Sequence, residues 1–112
     1  MIGRFGDRAT FDALRRDGRL ARRGPMTVTY LPGGTDARVA YAIGRSVGSA
    51  VVRNRLRRRL RAAARELDRA PGGLAPGAYL VALRPEAARC SYQDLRRDLR
   101  DACASLTGTV PG

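Results

Sequence analysis

Six of the nine side chains from Arg53 to Arg61 are arginine, and Leu56 and Leu60 interrupt them one helical turn apart. At about 100° per residue, Val52, Leu56, Leu60, Ala63 and Leu67 fall within one arc of roughly 80°, with Ala64 beside it. Arg53, Arg57 and Arg61 form an i, i+4 ladder on one border of this stripe. Arg58 and Arg65 lie farther round, and Arg55 and Arg59 occupy the other flank. An apolar stripe this wide must be covered. Whatever the chain folds into has to offer a hydrophobic platform to this helix and leave its cationic surface turned outward.

That surface carries a cost. Like charges at i, i+4 repel by about 0.2–0.5 kcal/mol per pair. Arg53/Arg57, Arg57/Arg61, Arg61/Arg65 and Arg55/Arg59 all stand at this spacing, and Glu66 is the only acid between Gly44 and Leu67. A helix that needed only solubility would mix signs, so the pattern points to an anionic partner. The segment from Ser91, SYQDLRRDLRDACASL, serves as an internal control. Its Tyr92, Leu95, Leu99, Ala102 and Leu106 repeat at three and four, as an amphipathic helix requires. Its charges alternate in sign, with Asp94–Arg97 and Arg97–Asp101 spaced to pair.

The formal net charge of +12 extends the attraction for polyanions to the whole chain. All 22 basic residues are arginine. The guanidinium fork suits phosphate, but abundant Ala, Gly, Pro and Arg also mark a GC-rich coding bias. The placement of the arginines is therefore more informative than the absence of lysine. A chain of 112 residues makes one domain, 1–112. Cys90 and Cys103 lack metal-ligand spacing, and with no histidine to join them they read as free thiols of a cytoplasmic protein. The start, MIGRFGDRAT, has no apolar core for a signal peptide, and no run approaches 18 apolar residues, so no membrane association is expected.

In chain order, residues 1–9 read as a short arm. Thr10 or Asp7 is placed to cap a short helix carrying Phe11 and Leu14, with Gly18 at its end. RLARRGP, 19–25, reads as a link, with room for a further strand hidden within 19–31. MTVTYL, 26–31, and RVAYAI, 38–43, alternate on either side of Pro32-Gly33-Gly34 and read together as an antiparallel hairpin. The arginine helix follows, capped by Ser46 or Ser49, and ends before Pro71-Gly72-Gly73. AYLVAL, 78–83, is a nearly continuous apolar run, as in a central strand. An α+β sandwich follows, with helices on a small sheet, ordered over about 8–106 with a tail at 107–112.

No chemistry of the chain's own is apparent. Without histidine there is no histidine-based acid/base pair, triad or metal cluster. No phosphate-binding glycine loop occurs, and the acids are scattered. No catalytic and no metal-ligating residue is assigned. Tyr79 and Tyr92 read as packing residues, and Tyr41 is left open between packing and base stacking.

Gly44-Arg45-Ser46-Val47-Gly48 followed by Ala50-Val51-Val52-Arg53-Asn54-Arg55-Leu56-Arg57-Arg58-Arg59-Leu60-Arg61 closely resembles the signature of the bacterial ribonuclease P protein component. The resemblance covers about residues 8–106. It implies an α/β sandwich on a small, mostly antiparallel four-stranded sheet, with the Arg-Asn-Arg helix in a left-handed βαβ crossover. It implies a monomer in 1:1 complex with the catalytic RNA, acting on precursor tRNA, with Mg²⁺ and the hydrolysis belonging to the RNA. It assigns RNA contact to Arg45, Arg53, Asn54, Arg55, Arg57, Arg58 and Arg61, and a cleft for the 5′ leader to Phe11 and Tyr30. The chain departs from the pattern at Ser46 and Ser49, where the family has lysines, and at Arg15, where a second cleft aromatic is often found. Two other readings compete: a structural RNA-binding protein of the ribosomal type, and a nuclease in its own right, which lacks the groups for it.

Overall fold

The computed structural model describes residues 2–107. The tail expected from 107 onward therefore lies, beyond Thr107, outside the described residues. Three helices and four strands follow one another as α1 (Arg8–Asp17), β1 (Arg19–Arg23), β2 (Met26–Pro32), β3 (Ala37–Ile43), α2 (Ala50–Arg69), β4 (Gly77–Leu83) and α3 (Tyr92–Thr107). Short 3₁₀ turns occupy Arg45–Val47 and Pro85–Arg89. The caps resolve the alternatives in the sequence. Asp7 accepts from the Thr10 amide at 2.9 Å and opens α1, and the Ser49 hydroxyl accepts from the Val52 amide at 3.3 Å and opens α2. Ser91 and Asp94 cap α3 reciprocally, at 3.1 and 3.2 Å.

The sheet order is β1-β2-β4-β3, which corrects two expectations. The stretch 19–25 is not a link: Arg19–Arg23 pairs antiparallel with Met26–Tyr30 across the two-residue loop Gly24-Pro25. Gly24, at φ 54°, adopts the left-handed conformation that tight hairpin loops require. Nor do β2 and β3 form a hairpin. β4 lies between them, antiparallel to β2 and parallel to β3. The physical reason lies in burial. β4 is buried at Gly77, Ala78, Tyr79, Val81 and Leu83, so it takes a central position. β3 alternates, with Arg38 and Ala42 exposed, and takes an edge. Gly77, at φ 146°, is packed so closely that a Cβ there would stand 2.5 Å from the Leu31 carbonyl.

α2 and α3 cover one face of the sheet and α1 the other. The first face holds Ala21, Met26, Val28, Tyr30, Val39, Tyr79 and Val81, which share one core with Leu56, Leu60 and Ala63 of α2 and Leu95, Leu99 and Ala102 of α3. At about 25 cal/mol per Å² of apolar surface removed from water, each such leucine contributes on the order of 2 kcal/mol. α1 touches β2 and β4 from the opposite side through the buried Leu14.

A candidate nucleic-acid interface

α2 is 20 residues long, about 30 Å at 1.5 Å per residue. The stripe read from the sequence is the seated face: Leu56, Leu60, Ala63 and Ala64 are buried, and Val52 and Leu67 pack at its margins. Asn54, Arg55, Arg58, Arg61 and Arg65 are exposed, and Arg53, Arg57 and Arg59 are half-buried. None of these seven arginines forms an ion pair with a carboxylate among the described residues. Arg57 instead donates to the Asn54 side-chain oxygen at 3.0 Å, which holds two of the expected contact residues on one turn.

The arginines are not equivalent. Arg59 donates to the Cys90 carbonyl at 3.3 Å and ties α2 to the start of α3. The Nε of Arg53 is buried and has no hydrogen-bond partner among the described residues. A buried donor left unpaired costs about 1–3 kcal/mol, so Arg53 is set to gain from a partner acceptor. Arg45 is exposed on a 3₁₀ turn that the buried Val47 fixes just before α2. Arg45, Arg53, Asn54, Arg55, Arg57, Arg58 and Arg61 thus belong to one continuous segment of structure.

A second feature lies on the other face. Sheet alternation and register place Thr27 and Thr29, then Ala78, Leu80 and Ala82, then Arg38, Ala40 and Ala42 on the α1 side. On β4 and β3 these side chains are alanines apart from Leu80 and Arg38, and α1 with its half-buried Phe11 packs on this face, where the resemblance puts the leader cleft. Arg15 is exposed on α1 and paired with Asp12.

Tyr30 does not belong to this cleft, which is a correction. It shares a strand face with Met26 and Val28, and its ring centroid lies 4.6 Å from that of Tyr79 within the main core. Its hydroxyl donates to the Pro76 carbonyl at 2.8 Å. Period-two alternation already places residues 26, 28 and 30 on one face, so the phase of the strand was the available signal. Thr29 faces the cleft instead: a Cβ added to Gly18, at the end of α1, would stand 2.8 Å from its methyl group. Phe5 packs on Phe11 of α1 and carries Arg38 over its ring. Arg38-Val39 stands in the sequence string that resembles the family, but no pattern assigned a role to Phe5 or Arg38.

Other groups offer no chemistry. Burial pushes the Cys103 thiol up to about 12, and it raises Cys90 as well, so neither is a reactive thiolate at neutral pH. Tyr79 is raised for the same reason, and its hydroxyl donates to the Ala75 carbonyl at 2.7 Å. Among the described residues no three of His, Cys, Asp or Glu come together in a way that could hold a metal ion. No helix among them is long and apolar enough to cross a membrane.

A compact α+β domain with a one-signed arginine helix on its surface has the features of a protein that binds a polyanion. Residues 3–107 match the Ribonuclease P family. The chain belongs to that family, whose members are the protein components of an RNA–protein endoribonuclease. It is 38% identical to the ribonuclease P protein component of a Nocardioides species, over 97% of this chain and 95% of that one. It is 37% identical to that of Thermobifida fusca, over 93% and 76%. Among solved structures, the Thermotoga maritima RNase P protein superposes with a TM-score of 0.75 at 23% identity, over 97% of this chain and 98% of that one. The Staphylococcus aureus protein does so at 0.78 and 17%, over 88% and 90%. These likenesses bear out the fold.

Proposed function

We propose that the protein docks on the catalytic RNA of ribonuclease P through α2 and holds the 5′ leader of precursor tRNA in the cleft between α1 and the sheet. In this reading it assists Mg²⁺-dependent removal of the leader in the cytoplasm, as one protein per RNA. The observation that carries the reading is the one-signed face of α2, seven arginines without a described carboxylate partner. Over the roughly 18 Å from Arg53 to Arg65, such a face is complementary to a run of phosphates. Arg45, Arg53, Asn54, Arg55, Arg57, Arg58 and Arg61 make the RNA contact, and Phe11 borders the leader.

The chain's residues do not build a Mg²⁺ site by themselves, since carboxylates do not converge among the described residues. In this reading the metal and the hydrolysis belong with the RNA. The protein's part is to neutralise phosphates, orient the leader and raise the affinity of the assembly for its substrate. The competing reading, a structural protein of the ribosomal type, has the same charge and a related fold. Incubating the protein with precursor tRNA and Mg²⁺, with and without ribonuclease P RNA, separates them. Faster cleavage only when both are present supports the proposal. Cleavage by protein alone, or no effect on the RNA-catalysed reaction, overturns it.

A further inference from the structure

The segment before α1 is pinned at both ends. Gly3 bridges the outer edge of β3, donating to the Ala37 carbonyl at 2.9 Å and accepting from the Val39 amide at 3.0 Å. Asp7, four residues on, is the cap of α1. Phe5 sits at the middle of this strap. Its ring lies 5.2 Å from that of Phe11, with the planes inclined by 53°. The Arg38 guanidinium stands over the Phe5 ring, 5.8 Å from its centroid. Arg38 is exposed on the cleft face of β3, beside the small side chains of Ala40 and Ala42. It makes no ion pair with a described carboxylate, although its charge lowers the pKa of the Asp7 carboxyl slightly, after the larger effect of the Thr10 hydrogen bonds.

A contact between residues flanking a helix cap can be a hydrophobic staple, which fixes the entry of the chain. A staple needs apolar volume only. It does not need an aromatic ring, nor an arginine of the edge strand laid across that ring. We propose that Phe5, Phe11 and Arg38 form a stacking site for one unpaired base of single-stranded RNA. The base takes the place of Arg38 over the Phe5 ring, and the released guanidinium pairs with a flanking phosphate. A base stacked on an aromatic ring is held more strongly than an exposed cation over the same ring, so the exchange is favourable. With Tyr30 in the core and Arg15 in place of an aromatic, Phe5 gives the cleft the second ring that α1 and β2 do not supply. The assignment rests on the leader-cleft reading above, so the base belongs to the 5′ leader.

The test uses the protein assembled with ribonuclease P RNA and compares precursor tRNA with mature tRNA. Phe5→Leu keeps the apolar staple, and an unchanged melting temperature verifies that. It is expected to weaken precursor binding by about tenfold and leave mature tRNA binding unchanged. A 2-aminopurine walked along the leader should show one position quenched by the native protein and released by Phe5→Leu. If Phe5→Leu binds both RNAs as the native protein does while Phe11→Ala still loses its preference for the leader, Phe5 is a staple and the inference is overturned. If neither variant changes the preference, the cleft reading falls with it.

Discussion

α2 and α3 lie side by side on the same face of one sheet and are built to the same plan on their buried sides. Each presents leucines and alanines at three- and four-residue spacing to a common core. They differ on the outside. In α3, Arg96 pairs with Glu66 of α2 at 2.7 Å, Arg97 with Asp94 and Asp98 at 3.5 Å, and Arg100 with Asp101 at 3.3 Å. In α2 the arginines from 53 to 65 have no such partners among the described residues. The same composition bias acts on both helices, so it cannot be the cause of the difference. Packing dictates the inner faces. What each helix meets outside dictates the outer ones.

The comparison can be broken at several points. The inner faces should be interchangeable in energetic terms: Leu60→Ala in α2 and Leu99→Ala in α3 should each cost about 2–5 kcal/mol in urea unfolding. The outer faces should separate. Replacing Arg53, Arg57 and Arg61 together by alanine should weaken binding to ribonuclease P RNA by roughly a hundredfold at 0.1 M salt. It should also flatten the slope of log K against log salt by about 2–3. For the native protein, with about six phosphates engaged, that slope should be roughly −4 to −5. The matching triple change at Arg96, Arg97 and Arg100 should leave the slope unaltered, and an equal loss would remove the distinction between the helices.

The polar link between the helices should matter less. The Tyr92 hydroxyl and Arg96 both meet the Glu66 carboxylate, at 2.9 and 2.7 Å. The ion pair is half-exposed, so Glu66→Gln should cost at most about 1 kcal/mol by chemical denaturation. The smallest effect concerns α1, which belongs to neither helix layer. Hydrogen bonds from Thr10 hold the Asp7 carboxyl below its ordinary 3.8. Its contribution is therefore fully present above that value and fades as pH falls through the lower, folded one. Helix content followed by circular dichroism should show a loss in that window that Asp7→Asn lacks.

The sequence was most informative where period and chemistry coincide. The stripe from Val52 to Leu67 fixes which side of α2 is buried, and the structure agrees residue by residue. The phase of β2 was equally available, since Met26 and Val28 require Tyr30 beside them. Strand partners were not legible. Alternation tells which side of a strand is buried and says nothing about its neighbours, and Pro32-Gly33-Gly34 suits a hairpin that never forms because β4 is apolar enough on both sides to claim the centre. Phe5 lay beyond periodic reasoning altogether. Of its neighbours, Phe11 lies across the Asp7 cap and Arg38 is distant in sequence, brought beside it where Gly3 extends the sheet at its outer edge.

The place of β4 between β2 and β3 sets an order of events in time. The β1–β2 hairpin joins residues only a few positions apart and can close as soon as it is made. β3, by contrast, finds before it in the chain only the single bridge at Gly3, and its ladder neighbour begins at Gly77, beyond the whole of α2. Long-range pairings of this kind form slowly. Until residue 83 has emerged, the platform under the arginine helix is half built, and a basic amphipathic segment stands exposed with its leucines uncovered. A polyanion met at that stage would meet α2 before the sheet beneath it is complete.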